Sequence, residues 1–216
     1  MWQQPDTESM TFTERGRRAQ ILRGAIDTIV ELGWAQSSLA RIAERIGASK
    51  GTILHYFPDK EALVGALAFD IHSRLADAVS AAVAAESTSI GRIRAYIRAN
   101  IDFLADNPSD IAAVIELGAT YRSRDRRRLK DLMATADPVR DEFASLDLAA
   151  LLTRERHASK LSDFDPDTLA MVVRGAIDAA AERLTRDPGF DPHPYGLELA
   201  ETVERRLQPA PSTRGR

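Results

Sequence analysis

Apolar residues along the chain recur at intervals of three and four, the period of a helix that buries one face. Sustained apolar/polar alternation and Asn-Gly hairpin turns, which would mark strands, are missing. The first helix is predicted over 13–32, with Ile21, Leu22, Ala25, Ile26, Ile29 and Val30 on one side. Gly33 follows where a helix end favours a left-handed residue. A short helix over 38–46 starts at Ser37 or Ser38 and turns Leu39, Ile42, Ala43 and Ile46 inward. Gly47-Ala48-Ser49 makes a tight turn into a second short helix, 50–56, with Ser49 placed to cap it. Pro58 breaks the chain, and Asp59 caps a long helix running to about residue 85.

Beyond a Ser/Thr-rich break at 86–89, helical segments are predicted over 90–106, 109–120, 125–135 and 138–156, with Asn107-Pro108 and Asp137-Pro138 between them. Residues 157–164 read as a loop, and helices 166–186 and 194–207 close the fold. The expectation is an all-α protein with no internal repeat. It divides into a disordered arm (1–12), a three-helix domain (13–60), a larger helical domain (61–207) and a disordered tail (208–216).

Composition narrows the class. A hydrophobic fraction of 44% supports a buried core, and 28% charged residues with no apolar run of about 18 exclude a membrane-spanning helix. The first residues lack the apolar stretch of a signal peptide, so the expected location is cytoplasmic. There is no cysteine, hence no disulfide framework and no thiolate metal site. The net charge of −3 hides an asymmetry: residues 13–60 hold eight Lys/Arg against five Asp/Glu, a net of +3. A basic end on an acidic body is what a chain shows when one module touches phosphates.

Two short helices joined by a three-residue turn cannot bury a core alone and must lean on their neighbours. That is the construction of a helix-turn-helix, in which one helix braces and the second enters the major groove. The second helix opens Ser49-Lys50-Gly51-Thr52, offering free N–H groups, a dipole's positive end and a lysine. Gly51 lets the backbone come close to DNA, and glycine in a seven-residue helix costs about 1 kcal/mol against alanine. The segment SSLARIAERIGASKGTILHYFPDKEALV resembles the helix-turn-helix of the tetracycline-repressor (TetR) family: Ser38, Ile42-Ala43, Gly47, Ser49, Gly51-Thr52, His55-Tyr56-Phe57 and Lys60-Glu61-Leu63 all match.

The resemblance implies a DNA-binding regulator, most simply a repressor, that binds a near-palindromic operator as a homodimer and is released by a small-molecule effector. It places Lys50, Thr52 and His55 against bases or adjoining backbone, Ser38, Arg41, Tyr56 and Lys60 on phosphates, and Ile42, Ala43, Ile46, Ile53 and Phe57 in the core. Leu54 departs from the aromatic that many members carry there. The resemblance also makes the last two helices the dimer interface, through Leu169, Val173, Ala176, Ile177, Ala180, Leu184, Leu199 and Val203, with Gly175 allowing close approach. The alternative class is an all-α ligand-binding or interaction protein without effective DNA binding.

Other patterns carry less. The arginine-rich run 122–128 reads as a solvated helix start remote from the motif. Asp163 to Asp167 resembles a calcium loop, but Thr168 and Arg174 stand where glycine and glutamate are needed; Asp165 as N-cap with Pro166 in the first turn explains it better. The four histidines are dispersed, and no metal, cofactor or catalytic motif is expected. Phe69, His72, Tyr96, Phe103, Tyr121, Met133, Phe143 and Met171 form the expected lining of an effector cavity, with Arg174 as its charged anchor.

Overall fold

The computed structural model describes residues 10–133, 143–158 and 161–208; the predicted arm up to residue 9 and the tail from 209 lie outside them. Ten α-helices and two short 3-10 turns account for the described secondary structure, and no strand occurs among these residues. The chain separates into two compact units. Unit one comprises Met1–Ser73 and Ser109–Asp141, and unit two Arg74–Pro108 and Glu142–Arg216. The start of the long helix and a later helix thus fall in the same unit as the helix-turn-helix.

In unit one, α1 (Phe12–Leu32) begins at Thr11, whose hydroxyl accepts from the Glu14 N–H while Glu14 reaches back to the Thr11 N–H at 2.7 Å. This reciprocal cap starts the helix one residue earlier than its apolar pattern does. Its buried face is Ile21, Leu22, Ala25, Ile26 and Ile29; Val30, expected inside, is 47% exposed. A 3-10 turn (Trp34–Gln36) leads to α2 (Leu39–Arg45) and α3 (Lys50–Tyr56). Then α4 (Lys60–Ala84) starts in unit one and continues into unit two. The helices α6 (Pro108–Thr120) and α7 (Leu129–Met133) supply the rest of unit one, apart from Pro108. Asp110, fully buried on α6, takes the Arg23 guanidinium of α1 at 3.2 Å, and the Glu116 carboxylate accepts from the Trp34 N–H at 3.0 Å.

Of the helices predicted over 125–135 and 138–156, the first begins only at Leu129 and the second is helical from Leu148; residues 134–142 lie outside the described residues. Residues 122–128 form a turn-containing loop, a 3-10 turn covers Ala144–Leu146, and α8 is Leu148–Ala158, opened by the Asp147 side chain on the Ala150 N–H at 3.0 Å. In unit two, α10 (Pro192–Leu207) packs along α5 (Ser89–Asp106), while α9 (Pro166–Arg186) packs on α5, α8 and α10. Asp165 caps α9 with Pro166 in the first turn, as the sequence indicates. Close approach in this unit is set by Gly196, where a Cβ would stand 2.8 Å from Ile101; Gly175 faces open space.

Glu155 on α8 is 1% exposed and receives Ser89 Oγ at 2.8 Å, Arg92 Nη1 at 3.1 Å and Arg154 Nε at 3.2 Å. Burial pushes its carboxyl pKa up, but those hydrogen bonds together outweigh burial and hold it below the ordinary value. A depressed folded-state pKa gives stability that is present above the unfolded pKa and lost as pH falls through the folded one. Glu155→Gln is therefore expected to destabilise unit two at pH 7 and to matter progressively less below about pH 4. Urea denaturation of both proteins at several pH values checks this; a stability difference independent of pH would contradict it.

Candidate nucleic-acid interface

The two short helices are held at their ends by hydroxyl caps. Ser38 Oγ accepts from the Arg41 N–H at 3.3 Å, and Ser49 Oγ accepts from the Thr52 N–H at 3.0 Å while lying 2.9 Å from Thr52 Oγ1. Between them Gly47 takes φ 64°, a left-handed conformation that side chains with a Cβ rarely adopt, and the Ala48 N–H returns to the Ala43 carbonyl at 2.9 Å. Ile42, Ala43, Ile53 and Phe57 are buried, as the motif implies, while Ile46 is half-buried.

Ile46 has a different role. It packs on Gly24 of α1, where an added Cβ would stand 2.3 Å from Ile46 Cγ2. Periodicity in α1 cannot reveal that Ile46, just past the end of α2, touches the backbone at Gly24. Gly24→Ala is expected to lower stability by about 1–3 kcal/mol through overpacking, despite alanine's better helix propensity. Adding Ile46→Ala should return most of that loss. Thermal melts of the single and double variants decide it, and additive losses would contradict the contact.

Lys50, Gly51, Leu54 and His55 form one exposed arc of α3, with Leu54 40% exposed. A Cβ on Gly51 would meet only Ser49 Oγ, at 3.5 Å, an ordinary van der Waals separation. Among the described residues nothing therefore demands glycine there, and the open space in front of it admits another molecule. Thr52 and Tyr56 are half-exposed, and the His55 and Tyr56 rings meet edge-on at 5.1 Å. Ser38 and Arg41 are exposed at the start of α2.

Lys60, of the predicted set, makes contacts within the chain. Its ammonium donates to the Trp34 carbonyl at 2.9 Å and lies 3.4 Å from that ring's centroid, and burial depresses its pKa below the ordinary lysine value. These contacts tie the start of α4 to the 3-10 turn.

Residues 21–67, which take in the whole of this arrangement, match the profile of bacterial regulatory proteins of the tetR family. An HTH-type transcriptional repressor of Mycobacterium tuberculosis is 31% identical over 196 residues, covering 88% of this chain and 94% of that protein. The chain belongs to the TetR family. A second relative, the HTH-type transcriptional regulator BetI of Klebsiella pneumoniae, is 39% identical over 88 residues; the match spans 40% of this chain and 45% of BetI, less than half of that relative's length. In fold, the chain is similar to the transcriptional regulator FadR from Bacillus subtilis, solved in complex with stearoyl-CoA. That likeness has a TM-score of 0.72 at 19% identity and covers 88% of this chain and 99% of FadR.

In this TetR-family chain, the residues expected to line an effector cavity are divided between the two units. Phe69, His72 and Tyr121 belong to unit one, and Tyr96, Phe103, Phe143, Met171 and Arg174 to unit two; the side chain of Met133 lies outside the described residues. Tyr121 stacks edge-on against Trp34 at 5.5 Å, and burial, with Glu61 and Asp59 nearby, pushes its phenol up to about 12. Arg174 is a brace: its guanidinium reaches Tyr96 Oη at 3.2 Å and Asn100 Oδ1 at 3.1 Å. Met171 is 69% exposed on α9. Unit two does hold a groove of about 540 Å³, and none of these residues lines it. Its walls are Ala82, Ile90, Ala95 and Ala99 with Arg94, Arg98, Asp102, Glu86 and Glu204 among the polar groups.

The expected interface residues also divide. Val173, Ile177, Ala180 and Val203 are 1%, 3%, 2% and 4% exposed, turned into the core of unit two, and so present no surface to a partner. Leu169, Ala176, Leu184 and Leu199 are half-exposed. The apolar surface that α9 leaves open is Met171 and Val172, the latter 58% exposed, beside Gly175 and Ala179.

Proposed function

We propose that this TetR-family regulator is a repressor that binds a near-palindromic operator as a homodimer and leaves it when a small-molecule effector binds unit two. The observation that carries the DNA reading is the exposed arc Lys50, Gly51, Leu54 and His55 on a helix rigidly capped at Ser49. It offers a cation, a bare stretch of backbone and an apolar side chain, the contacts that major-groove edges, phosphates and thymine methyls accept. Thr52 and His55 add base contacts, and Ser38, Arg41 and Tyr56 hold the backbone. The M. tuberculosis relative, a repressor by name, supports the sign of the regulation. No helix among the described residues is long and apolar enough to cross a membrane, which fits a protein working on DNA in the cytoplasm.

Self-association rests on the open apolar face of α9, since Met171 and Val172 are large side chains left in water. A two-fold axis there would duplicate α3 and make the operator palindromic. A candidate effector site is the unit-two groove of about 540 Å³, whose mixed walls of alanines, Arg98 and carboxylates suit a small polar molecule. FadR, which shares the fold, was solved with stearoyl-CoA, an acyl ligand with anionic groups. A ligand releases DNA only if it binds the DNA-incompetent arrangement better, and α4, which runs from the helix-turn-helix into unit two, is the element able to carry that preference. A panel of fatty acids and acyl-CoAs screened by thermal shift tests the sensor role. A ligand that raises the melting temperature should also weaken operator binding about 5- to 150-fold. Stoichiometric ligands that leave operator affinity unchanged would make the protein a constitutive DNA binder.

A further inference from the structure

We propose that the arginine-rich loop 122–128 is a second DNA-backbone contact, reaching phosphates beside those engaged by α3; this rests on the DNA-binding reading above. Five of its seven residues are arginines, and residues 122–130 carry six positive charges against Asp125, a net of +5 in a chain of net −3. Distance along the sequence argues against a link with the motif, but the fold removes that distance. The loop belongs to the same compact unit as α1–α3. Arg124 pins it there: Nη2 lies 3.0 Å from Asp59 Oδ2, and its N–H donates to Glu61 Oε2 at 3.4 Å. Asp59 comes three residues after Tyr56, so the loop sits at the C-terminal end of the recognition helix.

The loop is also a built turn. The Arg126 N–H donates to the Ser123 carbonyl at 2.9 Å, the Ser123 N–H to the Arg127 carbonyl at 2.9 Å, and the Arg127 N–H to Ser123 Oγ at 3.0 Å. Tyr121, Ser123 and Leu129 are buried and anchor it, while the Asp131 carboxylate takes the Arg128 N–H at 3.2 Å. Arg126 is held at φ 60°, a left-handed conformation disfavoured for a residue with a Cβ, and its side chain stands in solvent. Arg126, Arg128 and Lys130 are exposed and have no ion pair among the described residues. Two unneutralised cations on a fixed turn, with Lys130 in the first turn of α7 just after it, match an extended polyanion beside a DNA-reading helix.

The test uses the full chain and a duplex selected by the wild-type protein from a randomised library with long constant flanks. Arg128→Gln alone, Arg126→Gln/Arg128→Gln together, and Arg205→Gln on α10 as a charge-matched control are compared across salt concentrations. For every phosphate that the loop no longer neutralises, the log–log salt dependence should become shallower by about 0.9, which is roughly an eight-fold weaker affinity at 0.1 M salt. The preferred sequence should stay the same, and Arg205→Gln should behave as wild type. A double variant that keeps the wild-type affinity and slope, or weakens no more than the control, overturns the proposal. If the wild-type protein itself selects no duplex, the DNA-binding reading fails first, so the two failures are distinct.

Discussion

Ile177→Asp is expected to unfold unit two. Ile177 is 3% exposed, on the same buried face of α9 as Val173 and Ala180, in a helix that packs on α5, α8 and α10. Removing a buried isoleucine of this kind costs about 2–5 kcal/mol, and an unpaired carboxylate in the same place costs several more. A domain of ordinary stability, about 5–15 kcal/mol, has little left after that. Circular dichroism during urea titration should show the cooperative transition shifted far down or absent. A variant that melts near wild type but sediments as a monomer would put Ile177 at an interface after all.

Met171→Glu/Val172→Glu should do the opposite: leave the fold intact and abolish the dimer. Both side chains project into solvent, at 69% and 58% exposure, so glutamates there meet no desolvation in the single chain. Across a two-fold interface each would face a like charge or an apolar surface, which costs several kcal/mol per dimer. Operator binding then loses the gain from linking two half-site contacts, a fall of about 10²- to 10⁴-fold. Sedimentation velocity gives the first quantity and equilibrium binding the second. An intact dimer with these substitutions would place the interface elsewhere.

The contrast between these two experiments shows where the sequence is readable. Helix starts at Asp59, Ser49 and Asp165 are legible because the signals are local: each side chain accepts from the backbone N–H three residues ahead. Apolar periodicity identifies one face of α9 correctly, yet it cannot say whether that face meets its own chain or another copy. Val173 and Ile177 prove to be core, and the partly polar face with Met171 and Val172 is the free one. The same limit hides Gly24 and Gly196, whose importance lies in a side chain of a different helix, Ile46 or Ile101. Lys60 matches the family motif by position, but Trp34, which holds its charge, stands 26 residues away. The run 122–128 reads as helix because arginine is a good helix former, whereas Ser123, Arg124 and Asp59 fold it into a turn.

The most direct test of the central claim is selection of DNA from a randomised duplex library by the purified full-length protein, followed by sequencing of the bound fraction. Wild-type protein should enrich a near-palindromic site whose half-sites lie about one helical turn apart. Lys50→Ala, which alters the exposed arc of α3 without touching its cap, should change the preferred bases within each half-site. Enrichment of no sequence, with binding that depends only on salt, would contradict the reading of this chain as an operator-specific regulator.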